Sequence, residues 1–380
     1  MTIPGTNRRM SKYLHSAGAL SLAALAFVPV FGAHAAAQSA GESTQARESE
    51  SQATMLEREY PEFYDLLIRL ERAHGLLFGG LFEEGEIVRE NGDGLPTFEF
   101  EFDMVDRLTR LAGEEGRADH AAEEAAAGFA VLGSKAAEVI AWGNEFYRDV
   151  MGVLVDTSLT TFADRRAAVG KAVERYQSRP DIALPTQPKD MDVLYDHPYA
   201  FQFRGGYADL GGVIWAGYWL KLAATEPITD FPEKEVRQEG LDTVTNRYHL
   251  KLTYGEPPEF FPSEIPLAPA ISPGMIFLGT EASMIMDNLS FMQEVFADIL
   301  ASPDVPDVHA ALDEALDQFL DPEYRVTTRD DWESMALQHG IFFQGGFPLD
   351  VMTKSELNFD AHAAHTSGAG RPVLDPTMPR

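Results

Sequence analysis

Cysteine is absent from all 380 residues. Its absence excludes disulfides, thiolate metal sites and a lipid anchor carried on cysteine. Positive charge is scarce: 30 Lys and Arg stand against 60 Asp and Glu, a formal charge of −30. Nucleic acid and anionic lipid surfaces are therefore poor partners. After the N-terminal region no stretch is both long and charge-free enough to span a bilayer, so no stable membrane insertion is expected. No G-x-S-x-G turn is present, and the pairs Gly205-Gly206 and Gly211-Gly212 lack the basic residue and strand context of a phosphate loop.

What is present begins with an export signature. Arg8, Arg9 and Lys12 form a basic region, Ala17 to Gly32 an apolar one, and Ala33 to Ala37 a small-residue cleavage zone. Residues 1–37 read as a signal peptide of the ordinary unfolded-export kind, which implies a periplasmic or secreted protein. Its removal takes away three positive charges and no acids, leaving −33. Residues 38–54 are Ser/Glu-rich and without apolar period, a flexible leader.

The remainder reads as all-α, a multi-helix bundle-like body with little or no sheet. Helical periods run from Pro61 to the Asn91-Gly92 turn, and over 118–132, 135–155, 164–176, 204–224, 235–254, 273–300, 306–320 and 328–339. One segment departs from this pattern. Thr97 to Asp103 alternates Phe98, Phe100 and Phe102 with acids at strand period, so it is expected as a lone strand or an irregular entry to a short helix, Met104 to Leu111. Prolines 180, 185, 188 and 198 mark 181–200 as a linker between an N-terminal helical half, 55–180, and a C-terminal half, 201–347. Residues 348–380 read as a loose tail.

The clearest amphipathic helix, beginning at Pro61, places Glu71 and His74 on or beside its apolar face. Residues three apart on a helix point in similar directions, so this carboxylate and imidazole can share a metal as in carboxylate-bridged di-metal bundles. No second E-x-x-H occurs in the chain, and the plainer reading is a core histidine bonded to a carbonyl or to Glu71. Asp209 lies on a helix apolar on nearly every side; it is either protonated, paired or ligating, or it complements the dipole of a first helical turn. On the helix from Pro273, the polar stripe is Ser283, Asp287, Ser290, Glu294 and Asp298. Glu281 and Asn288 share another face, at the expected interior edge.

Two functional classes follow. If Glu71, His74, Asp209 and Glu281 converge, they make a site of hard oxygen donors and one nitrogen suited to iron, manganese or zinc, with redox or hydrolytic chemistry. Otherwise the protein is a non-catalytic module that binds a partner or small ligand through an aromatic cleft between its halves, lined by His197, Tyr199, Phe203, Trp215 and Trp219.

Overall fold

The helix that carries Glu71 and His74, α1 (Pro61–Asn91), starts on a proline whose missing N–H costs nothing there, with Glu62 in the first turn and Arg89 in the last. Its stripe of Phe63, Leu66, Leu67, Leu70, Leu77, Phe78 and Leu81 is buried. In the computed structural model the described residues are 55–91, 98–113, 118–230, 233–253 and 265–338. The expected signal peptide, leader and C-terminal tail lie outside them, as do Gly92 to Gly94 of the expected turn.

Among the described residues there are fourteen named helices and no strand; a single antiparallel bridge joins Lys189 to Val326. The protein is all-α. After α1 come α2 (Phe98–Gly113), α3 (Ala118–Ala130), α4 (Ser134–Val155), α5 (Phe162–Gln177), the short α6 (Asp192–Tyr195) and α7 (Gln202–Gly206), then α8 (Ala208–Ala223), α9 (Thr225–Asp230) and α10 (Lys234–Thr253). The chain ends its described part with α11 (Ala268–Ile271), α12 (Pro273–Ala301), α13 (Val308–Leu320) and α14 (Arg329–Gln338).

The expected strand over 97–103 is instead the start of α2. The alternating phenylalanines coexist with a second pattern, Phe100, Met104, Leu108 and Ala112, four residues apart as a helix requires. The last three are buried and Phe100 packs on the core, whereas Phe102 is 64% exposed. With no neighbouring strand to satisfy its backbone, the helical stripe prevails.

Glycine supplies the closest packing. α1 and α3 approach so nearly that a Cβ on Gly75 would strike the backbone of Ala125, and one on Gly128 the carbonyl of Gly75. At the other end of the chain, α13 is capped by Asp307, whose side chain accepts the N–H of Ala310 at 3.0 Å. α14 opens with Thr328, which accepts the N–H of Asp331 at 3.1 Å.

α12 is the axis of the body. It packs against α1, α4 and α5 from the N-terminal part and against α6, α7, α9, α11 and α13. A helix so enclosed is buried on every side, which its nearly continuous burial from Ala282 to Ala301 reflects. Among the described residues no helix is long and apolar enough to cross a membrane.

Candidate functional site

The four residues that could have shared a metal have other occupations. Glu71 is engaged by Arg148 in an ion pair with both side chains only 16% exposed. His74, 2% exposed, places Nδ1 2.9 Å from the carbonyl of Leu70 one turn back. That bond fixes the proton on Nδ1, and Nε2 is buried and makes no hydrogen bond among the described residues. Burial, helped by the nearby charge of Lys221, draws His74 down to about 3. Asp209 sits in the first turn of α8, where a carboxylate complements the helix dipole, and its N–H bonds Glu101 Oε1 at 2.7 Å. Glu281 is exposed. Among the described residues no group of three or more His, Asp or Glu stands where it could hold a metal; these four do not make a metal centre.

The correction for Glu281 has a clear cause. The α12 stripe that looks polar in sequence faces inward: Asp287, Glu294 and Asp298 are 2%, 3% and 0% exposed. Each has a partner from a distant segment. Both oxygens of Asp287 lie 3.1 Å from the N–H of Ala268, and Oδ2 accepts the Trp332 indole N–H at 3.0 Å. Glu294 pairs with Arg204 at 2.8 Å. Asp298 accepts the N–H groups of Phe201 and Phe203 at 3.2 and 2.8 Å and lies 3.3 Å from His197 Nε2. These bonds hold Phe201 at φ 66°, a left-handed conformation a phenylalanine adopts only when its surroundings impose it. Burial nevertheless pushes Asp287 up to about 8 and Glu294 up to about 7.

Nor do the aromatic residues line an open groove. Phe203, Trp215 and Trp219 are 0%, 6% and 1% exposed and belong to the core. Tyr199 packs against that core from its edge, and His197 faces Asp298 beside a cavity of about 20 Å³, room for a water molecule.

An open cleft between the two parts of the chain does exist, built of other residues. Of about 480 Å³, it is lined by Arg166, Val169, Gly170 and Val173 from one face of α5, by Thr186, Gln187 and Pro188 from the linker, and by Thr327 and Arg329 at the entry to α14. The fourth wall is Leu278 to Ala282 and Met284 of α12, where Gly279 leaves helical geometry at φ −155°, ψ 73°. Val169 packs where a Cβ on Gly279 would sit, so the two helices meet at the cleft floor.

Asn288 makes the linker wall rigid. Its side-chain amide donates to the carbonyls of Pro185 and Gln187 at 3.0 and 2.9 Å, and its oxygen accepts the N–H of Lys189 at 2.9 Å. Lys189 in turn places its ammonium on the carbonyls of Gln318, Asp321 and Tyr324, closing the end of α13. Thr327 N–H bonds Pro188 O at 3.0 Å and Asp190 N–H bonds Arg325 O at 2.7 Å, which stitches the linker to the segment before α14. Val169, Val173, Leu278 and Met284 supply a buried apolar floor, while Arg166, Glu281 and Arg329 are exposed. Arg329 also bonds Glu333 at 2.6 Å. The cleft thus carries two cations and one acid in a strongly acidic chain.

No known protein family matches the chain, and neither does any curated protein or solved structure.

Proposed function

We propose that this is an exported, non-catalytic binding module that holds a small anionic ligand with an apolar body in the cleft between α5, the linker and α12. One observation carries the reading: a preformed cavity of about 480 Å³ with an apolar floor and two arginines at its rim, walled by segments far apart in sequence. Ligand sites of about 300–1,000 Å³ combine this same apolar lining with a few polar groups that orient the ligand. Arginine suits carboxylate or phosphate because its planar fork donates in pairs. In a chain of formal charge −30, a locally cationic mouth also selects where an anion settles.

The arrangement supports binding more than turnover. The lining offers two arginines for an anion beside one carboxylate, Glu281, and the walls are fixed by Asn288, Lys189 and Thr327. Preorganised walls favour affinity because less ordering accompanies binding. The export signature read over residues 1–37 supports a periplasmic or secreted location.

Protein expressed with its signal and recovered from the periplasm tests the reading through what it carries. Denaturing release followed by mass spectrometry is expected to yield an anionic amphiphile from the wild type, depleted at least tenfold in the Arg166→Gln/Arg329→Gln variant. Release of no such molecule, or equal release from both proteins, contradicts it.

A further inference from the structure

A second cleft, of about 470 Å³, lies on another side of the body between α1, the end of α2 and α10. On α1 it is lined by Glu62, Phe63, Asp65, Leu66 and Arg69, and on α10 by Gln238, Leu241, Asp242, Thr245 and His249. Both sets follow helical spacing, so one face of each helix is turned to the cleft.

Across the cleft the two helices run in the same direction. Lys234, at the start of α10, bonds Glu59 just ahead of α1 at 2.7 Å, while Arg69 further along α1 acts electrostatically on Tyr248 and His249 near the end of α10. Charge is sorted along the α1 wall, where Glu62 and Asp65 precede Arg69; on the α10 wall Asp242, at mid-helix, accepts from Gln238 at 2.8 Å and precedes His249, whose imidazole is held below its ordinary range by burial and the Arg69 charge. Seven residues separate Glu62 from Arg69, and seven separate Asp242 from His249, about 10 Å at 1.5 Å per residue. Beside these groups, Phe63, Leu66 and Leu241 form an apolar floor with exposures of 4%, 1% and 1%. Arg69 also keeps a buried Nε that makes no hydrogen bond among the described residues.

We infer that this cleft binds a short unblocked peptide, its terminal ammonium at Glu62 and Asp65, with Asp242 across the cleft, and its terminal carboxylate at the Arg69 guanidinium. Three extended residues span about 10 Å, which matches the separation of the charged ends. A single amino acid is too short to reach both, and a blocked or internal peptide segment lacks the terminal charges that the ends complement. The Phe63, Leu66 and Leu241 floor receives an apolar side chain from the middle residue. This site is independent of the cleft at Arg166 and Arg329.

Isothermal titration of the full chain with alanyl-leucyl-alanine, its N-acetyl form and its C-terminal amide tests the inference on the wild type without any substitution. The free tripeptide is expected to bind, and each blocked form to bind at least tenfold more weakly. Arg69→Gln is expected to erase discrimination against the amide, and Glu62→Gln/Asp65→Asn to erase discrimination against the acetyl form. Arg166→Gln/Arg329→Gln leaves both intact, which separates this site from the first. Equal affinity for free and blocked peptides, or no binding of the free peptide to folded wild type, overturns the inference; so does binding that Arg69→Gln and Arg69→Lys, both folded by circular dichroism, leave unchanged.

Discussion

Arg148 on α4 closes on Glu71 of α1 as an ion pair shielded from solvent on both sides. This relationship removes Glu71 from any ligand set and ties the two helices together. Truncating one partner of such a pair leaves an uncompensated charge in a poorly hydrated place. Arg148→Met is therefore expected to destabilise the fold by about 3 kcal/mol, and Glu71→Gln in the same background to recover much of that loss. Urea denaturation of the two single variants and the double variant measures the coupling.

The approach of α1 and α3 is tested by two glycines of opposite expectation. Gly128→Ala drives a methyl group into the Gly75 carbonyl, and overpacking between two rigid helices costs about 1–3 kcal/mol. Gly170→Ala meets nothing within 4 Å and lies inside α5, where alanine is favoured over glycine by about 1 kcal/mol. Thermal melts are expected to move in opposite directions for the two variants.

The buried acids of α12 make stability depend on pH in a defined direction. Between its ordinary value of 3.8 and about 8, folded Asp287 holds a proton that the unfolded chain has released. Stability then falls as pH rises through that window, by about 1.4 kcal/mol per pH unit for one such group. Glu294 acts with the same sign between 4.5 and about 7. His74 acts oppositely: between about 3 and 6.5 the unfolded chain binds a proton that the folded state refuses, so this contribution is lost as pH drops through that range. Urea midpoints at fixed ionic strength are expected to decline from pH 6.5 to 8 in the wild type and to decline less in Asp287→Asn. On the acid side, His74→Gln is expected to soften the loss.

Helix positions were legible in sequence because apolar period and end signals are local: the α1 stripe, the all-apolar α8 and the Thr328–Asp331 entry all follow from neighbours within a turn or two. The same locality explains the misreadings. At Phe98 to Phe102 two periods overlap over a few residues, and the helical one declares itself only through Met104, Leu108 and Ala112. The α12 stripe looks solvated in isolation, yet its partners are Trp332, Arg204 and the Phe201–Phe203 backbone, dozens of residues away. Glu71 likewise finds Arg148 77 positions along the chain.

Of the polar groups singled out from sequence, Asn288 proved to brace a cleft wall, and Glu281 proved to line the cleft rather than face the interior. Arg166 and Arg329 carried no local mark, since an exposed arginine is ordinary on any helix surface. The spacing of Arg166 with Val169, Gly170 and Val173 was the available hint: a cation and a glycine on the same face as two core valines.

Titration calorimetry with octanoate as the probe tests the central claim most directly, comparing wild type with the Arg166→Gln/Arg329→Gln variant under conditions where both melt at the same temperature. The account predicts saturable one-site binding to the wild type and at least a tenfold loss of affinity in the variant, with the neutral analogue octanol bound no better by one protein than by the other. Equal octanoate affinity in both proteins, or no binding to either, contradicts it.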